Sequence, residues 1–112
     1  MISNGIDIEH VDRFLDREDD FYTEIFTQAE IAYCRSKSWP QQHFCGIYCA
    51  KEALSKALSG VAKNLTYRDL EVAHDANGRP YFVQTDVLST MNISLSISHT
   101  KDTAVASVFI AL

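Results

Sequence analysis

The sequence predicts an α+β fold in which an antiparallel sheet packs on one long helix, and three observations predict it. A nearly all-apolar stretch with helical spacing occupies the middle of the chain. The second half is rich in short runs with alternating hydrophobicity, and an Asn-Gly pair lies between two of them. Helical and strand segments are therefore largely segregated along the chain.

Length and composition indicate one domain, residues 1–112, because 112 residues with 46% hydrophobic content can form one core. A net charge of −5 argues against nucleic acid as the main partner, since that requires a dense cationic face. Three cysteines, without the spacing of a zinc finger, indicate free thiols in a reducing compartment. The N-terminus lacks signal-peptide features and no apolar run could span a membrane, so we expect a cytoplasmic protein.

The first predicted element is a short strand within "GIDIEH". Ile6 and Ile8 alternate with Asp7 and Glu9, which predicts a half-buried strand with an apolar and a polar face. An aspartate inside a strand is unusual, because strands are depleted in this residue.

Two helices are predicted next. One starts near His10, where hydrophobic residues recur at helical spacing: Val11, Phe14 and Leu15. The second starts at Thr27, which forms a capping box with Glu30. We expect this helix to run to about Ser38.

The long helix is predicted from about Gln41 to Leu58, with Gly60 as its stop. One stripe holds large apolar residues: Phe44, Ile47, Tyr48, Leu54 and Leu58. An adjacent stripe holds Cys45, Cys49, Glu52, Lys56 and Ser59, and alanines line most of the remainder. A helix that is apolar or small nearly all round is expected to be largely buried.

The second half contains a hairpin around Asn77-Gly78, the strongest short hairpin signal. A brief helix is predicted over Asp86 to Thr90. "NISLSISHT" alternates as a strand, and "TAVASVFI" is predicted to be the strand that returns alongside it.

The residues that could carry chemistry are few. Glu52 and Lys56 have the favourable i, i+4 order, which an exposed ion pair explains at about 0.2–0.5 kcal/mol. On a buried helix that explanation fails, because the attraction within a buried ion pair usually does not offset the free-energy cost of removing both charges from water. The alternative is that Glu52 and Lys56 belong to a site for a metal and a phosphate. Lys51 falls in the apolar stripe, where it could reach solvent by its long stem.

His99 ends a serine-rich strand and is either polar surface or a phosphate contact. A serine nucleophile is not indicated, since no serine has a convincing His-Asp arrangement around it.

Taken together, these stretches resemble a known family. "GIDIEHVDRF", "FTQAE", "FCGIYCAKEALSKAL", "DANGRPYF" and "SISHT" occur in the order and near the spacing found in holo-(acyl carrier protein) synthases. These are the short single-domain class of 4′-phosphopantetheinyl transferases, and the resemblance covers essentially the whole chain. It implies a 4′-phosphopantetheinyl transferase-like fold.

The resemblance implies that Asp7 and Glu52 hold a magnesium ion that takes its remaining ligands from water and coenzyme A phosphates. Lys56 and His99 would bind coenzyme A phosphate. The reaction would be Mg²⁺-dependent transfer of phosphopantetheine from coenzyme A to a serine of an apo acyl carrier protein, releasing 3′,5′-ADP. Glu52, directly or through a metal-bound water, is the candidate base, and Asp7 is a less favoured one.

Partner contacts also follow from the resemblance. Arg13 matches the family's carrier-contacting arginine, and Arg17, four residues on, is expected to share its helix face; two solvated arginines are the alternative. The family assembles as a homotrimer with coenzyme A in clefts between subunits. Whether the carrier belongs to fatty acid biosynthesis, and so to lipid metabolism, or to polyketide or another pathway stays open.

Two departures from the family pattern concern coenzyme A. Ile47 stands where the family usually has a phosphate-binding arginine, and the glycine loop after the long helix is shortened. Lys51 or Lys63 could replace the lost contact. The alternative function is a catalytically degenerate relative that binds nucleotide or a partner protein without transfer.

Overall fold

The computed structural model describes residues 1–59 and 65–112. Within them, five strands are β1 (Ile2–His10), β2 (Val72–His74), β3 (Pro80–Phe82), β4 (Asn92–His99) and β5 (Thr103–Ala111). The α-helices are α1 (Asp19–Ile25), α2 (Gln28–Arg35) and α3 (Pro40–Ala57), and short 3₁₀ helices span Val11–Phe14 and Tyr67–Asp69. No helix of these described residues is long and apolar enough to cross a membrane.

The main sheet is three-stranded and antiparallel, in the order β1-β5-β4, and α3 packs across one of its faces. β2 and β3 form a separate hairpin. The predicted α+β class, with an antiparallel sheet on one long helix, is confirmed. The register pairs Asp7 with Ala106 of β5, which in turn pairs with Ile97 of β4.

Helix α3 is the centre of the core. It begins with Pro40 at its first position, where a missing N–H costs nothing, and it agrees with the predicted span to within a residue at either end. Its buried residues cover most of the helix circumference, as the apolar pattern predicted: Phe44, Cys45, Gly46, Ile47, Tyr48, Cys49, Ala50, Lys51, Ala53, Leu54 and Ala57.

β1 approaches α3 so closely that only glycine fits at position 5. A Cβ added to Gly5 would collide with the carbonyl oxygen of Ala53 and would lie 2.9 Å from the amide nitrogen of Ala57. The obstacles are backbone atoms, which no rotamer change can move. Beside this contact, the Ser3 hydroxyl donates a 2.7 Å hydrogen bond to the Ala57 carbonyl.

The strand and helix stay in register because their repeats nearly match. Two residues of a strand rise about 6.6–6.8 Å, and four residues of a helix rise about 6 Å. Inward-facing residues of β1 therefore meet small residues of α3 one turn apart. At the far end of the contact, the Cys45 thiol lies 3.6 Å from the Glu9 carbonyl oxygen.

A half-buried strand would normally bury its isoleucines, but β1 exposes them. The alternation is present, but Asp7 and Glu9 face α3, whereas Ile6 and Ile8 are 58% and 66% exposed. Ile2 and Phe109 on the same open face of the sheet are also exposed. Exposed apolar side chains grouped on one face are typical of surfaces that contact another protein.

The first predicted helix is only partly correct. The chain after His10 forms a 3₁₀ helix, Val11–Phe14, and then breaks at Asp16, whose φ is 51°. Arg17 therefore lies outside any helix, so the expectation that Arg13 and Arg17 share a helix face is wrong. The two are nevertheless adjacent, since Arg17 Nη1 donates a 3.1 Å hydrogen bond to the Arg13 carbonyl.

The remaining elements mostly agree with the sequence. Both hydrogen bonds of the Thr27–Glu30 capping box form, although α2 ends at Arg35 rather than near Ser38. The hairpin turns at Gly78, whose φ is 83°. The brief helix predicted from Asp86 to Thr90 is wrong, because these residues form turns. Gly60, the predicted helix stop, lies outside the described residues.

We predict that Gly5→Ala lowers the free energy of unfolding by about 3 kcal/mol or more, because overpacking against fixed backbone is costly. Gly46→Ala is the matched control. Its added Cβ would meet only the Ile97 side chain, at 2.9 Å, and alanine gains up to about 1 kcal/mol of helix propensity over glycine. Urea denaturation measures the free energy of unfolding of both variants. Equal effects of the two substitutions would contradict a β1–α3 contact of this closeness.

Candidate active site

Lys56 joins β1 to α3 at the edge of their contact. Its ammonium donates to the Asp7 carboxylate at 3.2 Å and to the Ile6 carbonyl at 3.0 Å. Asp7 is mostly shielded, with 16% of its side chain exposed, whereas the side chain of Lys56 is 55% exposed. The sequence pattern suggested an ion pair between Lys56 and Glu52, but the lysine pairs with Asp7 instead.

Glu52 lies one turn before Lys56 and accepts a 2.7 Å hydrogen bond from the Tyr48 hydroxyl. Burial raises the pKa of the Tyr48 phenol, and the Glu52 carboxylate raises it further. Tyr48 therefore remains protonated at neutral pH and can act as a hydrogen-bond donor to Glu52.

Lys56 pairs with Asp7 and follows Glu52 by one helical turn, so the two carboxylates belong to one neighbourhood, and the electrostatics of Tyr67 agree with this. Burial raises the pKa of its phenol, followed by the effect of Glu52 and, more weakly, of Asp7. Both carboxylates act on the same ring although they lie 45 positions apart in the sequence. The Tyr48 and Tyr67 rings meet edge to face, with centroids 5.9 Å apart.

Arg13 borders this neighbourhood. Its guanidinium lies 4.8 Å from the centroid of the Tyr48 ring and donates to the Glu9 carboxylate at 2.7 Å. The arginine is thus oriented by a cation–π contact and a salt bridge while its side chain stays 42% exposed. Arg17 stacks similarly, 4.2 Å from the centroid of the Phe21 ring.

The donor set of the neighbourhood suits a hard divalent cation. Asp7 and Glu52 supply two carboxylates against the single ammonium of Lys56, so excess negative charge remains. Among the described residues, no group of three or more His, Cys, Asp or Glu could hold a metal. Two carboxylates suit magnesium, which keeps several waters and takes further oxygens from substrate phosphates, rather than zinc, which takes three or four protein ligands.

Lys51 is the clearest correction. Its side chain is fully buried and its ammonium donates to Glu30 Oε1 at 2.6 Å and to the carbonyls of Ile25 and Tyr67 at 2.9 and 2.7 Å. All three ammonium protons are used, so the prediction that Lys51 binds coenzyme A is wrong. Burial lowers the pKa of Lys51 and raises that of Glu30, and their pairing opposes both shifts.

His99 and Ile47 lie elsewhere. His99 ends β4, which is separated from β1 by β5, and it lines a cleft with His43, His74 and Ile47. Ile47 is 1% exposed, as expected for the apolar stripe of α3. The structure therefore brings together Asp7, Glu52 and Lys56, but not His99. Lys63, the other predicted cation, lies outside the described residues.

Sequence reasoning missed the tyrosines of this site. Tyr48 was placed in the apolar stripe, and Tyr67 lies in a segment without a recognisable motif. Tyr48 stands four residues before Glu52, which places it on the same helix face and was the only available signal.

The comparisons with known proteins agree with this architecture. The family profile of the 4′-phosphopantetheinyl transferase superfamily matches residues 3–108. The holo-[acyl-carrier-protein] synthase of Caldicellulosiruptor saccharolyticus is 42% identical over 117 aligned positions, covering 95% of this chain and 94% of the relative. This chain belongs to the holo-(acyl carrier protein) synthase family of 4′-phosphopantetheinyl transferases.

Solved structures of this family have the same fold. The Bacillus anthracis holo-(acyl-carrier-protein) synthase, in complex with CoA (3′,5′-ADP), is 33% identical with a TM-score of 0.83, covering 96% of this chain and 94% of that one. The Helicobacter pylori holo-[acyl-carrier-protein] synthase, in complex with coenzyme A, is 28% identical with a TM-score of 0.83, covering 99% and 100%.

We predict that Lys51→Met lowers the free energy of unfolding by about 3–5 kcal/mol, because it leaves the buried Glu30 carboxylate without its partner. The double variant Glu30→Gln/Lys51→Met should recover part of this loss. The Michaelis constant for coenzyme A should not change in variants that fold.

Lys56→Met is the matched control, because its exposed ion pair is worth no more than about 1 kcal/mol. It should weaken coenzyme A binding while leaving stability nearly unchanged. The assignment of Lys51 to the core would be overturned if its variant stayed stable and bound coenzyme A poorly. Denaturation curves and steady-state kinetics distinguish the two residues.

Proposed function

We propose that this protein transfers the 4′-phosphopantetheine group of coenzyme A to a serine of an apo acyl carrier protein, with Mg²⁺ as cofactor. The observation that supports it best is the convergence of Asp7, Glu52 and Lys56 at the β1–α3 contact. Two carboxylates and an ammonium side by side suit the binding of a metal–pyrophosphate group.

In the proposed reaction, the serine oxygen of the carrier forms a bond to the pantetheine-side phosphorus of coenzyme A. The phosphoanhydride bond breaks, and its electron pair leaves on 3′,5′-ADP. Because the nucleophile belongs to the carrier, the protein contributes mostly positioning and charge neutralisation. Lys56 offsets negative charge on the pyrophosphate.

Glu52 is the proposed acceptor of the serine proton. Its hydrogen bond from Tyr48 fixes the direction in which the carboxylate points. Asp7 is less suited to this role because its carboxylate already accepts a hydrogen bond from the Lys56 ammonium. Both carboxylates would hold the magnesium ion, which supplies Lewis-acid stabilisation of the phosphate oxygens when bound.

The carrier is proposed to dock beside Arg13 and Arg17. Acyl carrier proteins are acidic, and two arginines oriented by aromatic rings at the border of the site offer cationic groups for them. A carrier docked beside these arginines would lie next to Tyr48, whose ring Arg13 contacts, and next to Glu52. The acidic net charge of the whole chain makes this local patch more important for docking.

We also propose that the active form is a homotrimer. The open face of the main sheet exposes Ile2, Ile6, Ile8 and Phe109, an apolar surface that a second copy could cover. His99 lies on the opposite edge strand from Asp7, so a coenzyme A site between subunits would unite His99 of one copy with the carboxylates of another.

We predict that Asp7→Asn and Glu52→Gln each lower the transfer rate at least about a hundredfold, because each removes a proposed metal ligand. Incubation with coenzyme A, Mg²⁺ and apo-carriers, followed by intact mass of the carrier, measures the added phosphopantetheine. Far-UV circular dichroism should show the fold unchanged.

Asp86→Asn, an exposed carboxylate in a turn, is the control and should keep full activity. Near-normal transfer by either site variant would refute the assignment. A wild-type protein that binds coenzyme A but modifies no carrier would favour the degenerate relative instead.

Charge reversal at Arg13 should weaken binding of the carrier protein. We predict that Arg13→Glu raises the Michaelis constant for the carrier about tenfold and leaves that for coenzyme A unchanged. The effect should shrink with added salt, since exposed charges are screened over about 8–10 Å. Arg79→Glu, an exposed arginine of the β2–β3 connection, is the control. Carrier kinetics insensitive to both charge reversal and salt would rule out this docking surface.

A further inference from the structure

Tyr48 contacts two parts of the proposed site at once. It lies on α3 and is buried, and its hydroxyl donates a 2.7 Å hydrogen bond to the Glu52 carboxylate. The guanidinium of Arg13 lies over its ring, with the central carbon 4.8 Å from the ring centroid. One side chain therefore touches both the proposed acceptor of the serine proton and the proposed contact of the carrier.

Arg13 is held by two groups and still open to solvent. Its Nη1 donates to the Glu9 carboxylate at 2.7 Å, its guanidinium rests on the Tyr48 ring, and 42% of its side chain is exposed. A guanidinium has five N–H donors, so a carboxylate from a docked protein can bind it without displacing Glu9. Such a carboxylate would hold the long arginine side chain against the ring.

The 3₁₀ helix Val11–Phe14 contacts the Tyr48 ring through a second residue as well. Phe14, which follows Arg13 and is buried, packs on this ring with centroids 5.2 Å apart. A protein that docks on the helix therefore acts on Tyr48 through two successive side chains. The ring in turn meets Tyr67 edge-on at 5.9 Å, so it is packed between separate elements of the fold.

Glu52 and Arg13 also act in opposite directions on the Tyr48 phenol. Burial raises the pKa of this phenol and Glu52 raises it further, whereas the Arg13 guanidinium lowers it. Both charged groups are therefore close enough to influence the same hydroxyl. Together with the two contacts, this makes Tyr48 a physical connection between the docking surface and the half-buried Glu52 carboxylate.

We propose that Tyr48 is a positioning residue through which docking of the carrier at Arg13 orients Glu52 to accept the serine proton. The inference rests on the proposed function and adds a coupling between its two halves, carrier docking and chemistry. A carrier carboxylate fixes Arg13 on the ring, the ring keeps its hydroxyl directed at Glu52, and the carboxylate is held where the serine arrives. Without a carrier, Glu52 is less well ordered, which disfavours attack on coenzyme A by water.

The first test removes only the hydroxyl. Tyr48→Phe should lower kcat for carrier modification about tenfold, because Glu52 loses a hydrogen bond to a charged group, while the Michaelis constants for carrier and coenzyme A change little. Tyr22→Phe is the matched control. It deletes a hydroxyl that donates a 2.9 Å hydrogen bond to the Phe14 carbonyl, so it should lower stability and leave kcat unchanged. An unchanged kcat in the Tyr48 variant would overturn the inference.

The second test is a double-mutant cycle with the docking arginine. Arg13→Gln should raise the Michaelis constant for the carrier and also lower kcat about fivefold, as expected for coupled sites. In the Tyr48→Phe background, the same substitution should raise the Michaelis constant only. Arg17→Gln is the control, because this arginine stacks on Phe21 rather than on Tyr48, and it should raise only the Michaelis constant in both backgrounds.

An Arg13→Gln effect on kcat that is equally large with and without the Tyr48 hydroxyl would refute the coupling. The proposed function is tested separately by intact mass of an apo-carrier after incubation with the wild-type protein, coenzyme A and Mg²⁺. Absence of transfer there would refute the proposed function and this inference with it. Transfer by the wild-type protein with unchanged kcat in the Tyr48→Phe variant would refute the inference alone.

Discussion

The close approach of β1 to α3 at Gly5 is the constraint on which the site depends. A strand normally keeps side chains between its backbone and a packed helix, but here the glycine lets the strand backbone reach the Ala53 carbonyl. The stripe of small residues on α3 makes this possible along the whole contact. Its consequence is that Asp7, two residues after Gly5, lies beside the turn of α3 that carries Glu52 and Lys56.

Close packing also explains why Lys56 pairs with Asp7 rather than with Glu52. The side chain of Lys56 reaches across to β1, where the Ile6 carbonyl and the Asp7 carboxylate both accept its protons. Glu52 is then held by Tyr48 instead. Each carboxylate thus has a separate hydrogen-bond donor that fixes its orientation: Lys56 for Asp7 and Tyr48 for Glu52.

Much of the fold could be predicted from the sequence because its signals are local. The Thr27–Glu30 capping box and the turn at Gly78 involve residues a few positions apart, and the all-round apolar pattern of α3 is continuous. Alternation in β1 predicted two faces but could not say which would be covered. Which face is covered depends on the contact between Gly5 and α3, and these segments are far apart in the sequence.

The site features that the sequence did not predict also depend on residues that are distant in the sequence and adjacent in the fold. Lys51 looked like a cation available for coenzyme A, yet Glu30, 21 positions away, holds it in the core. The family resemblance supplied the roles of Asp7 and Glu52, whereas the contribution of Tyr67 and the gathering of His43, His74 and His99 become visible only when separate elements pack together.

The measurement that tests this account most directly is a crystal structure of the protein with Mn²⁺ in place of Mg²⁺ and with coenzyme A, using anomalous scattering to locate the metal. The account predicts one manganese ion beside the β1–α3 contact, bonded to an oxygen of Asp7 and an oxygen of Glu52, with phosphate oxygens completing its shell. A manganese ion bonded to only one of these carboxylates, or bound elsewhere on the chain, would contradict it.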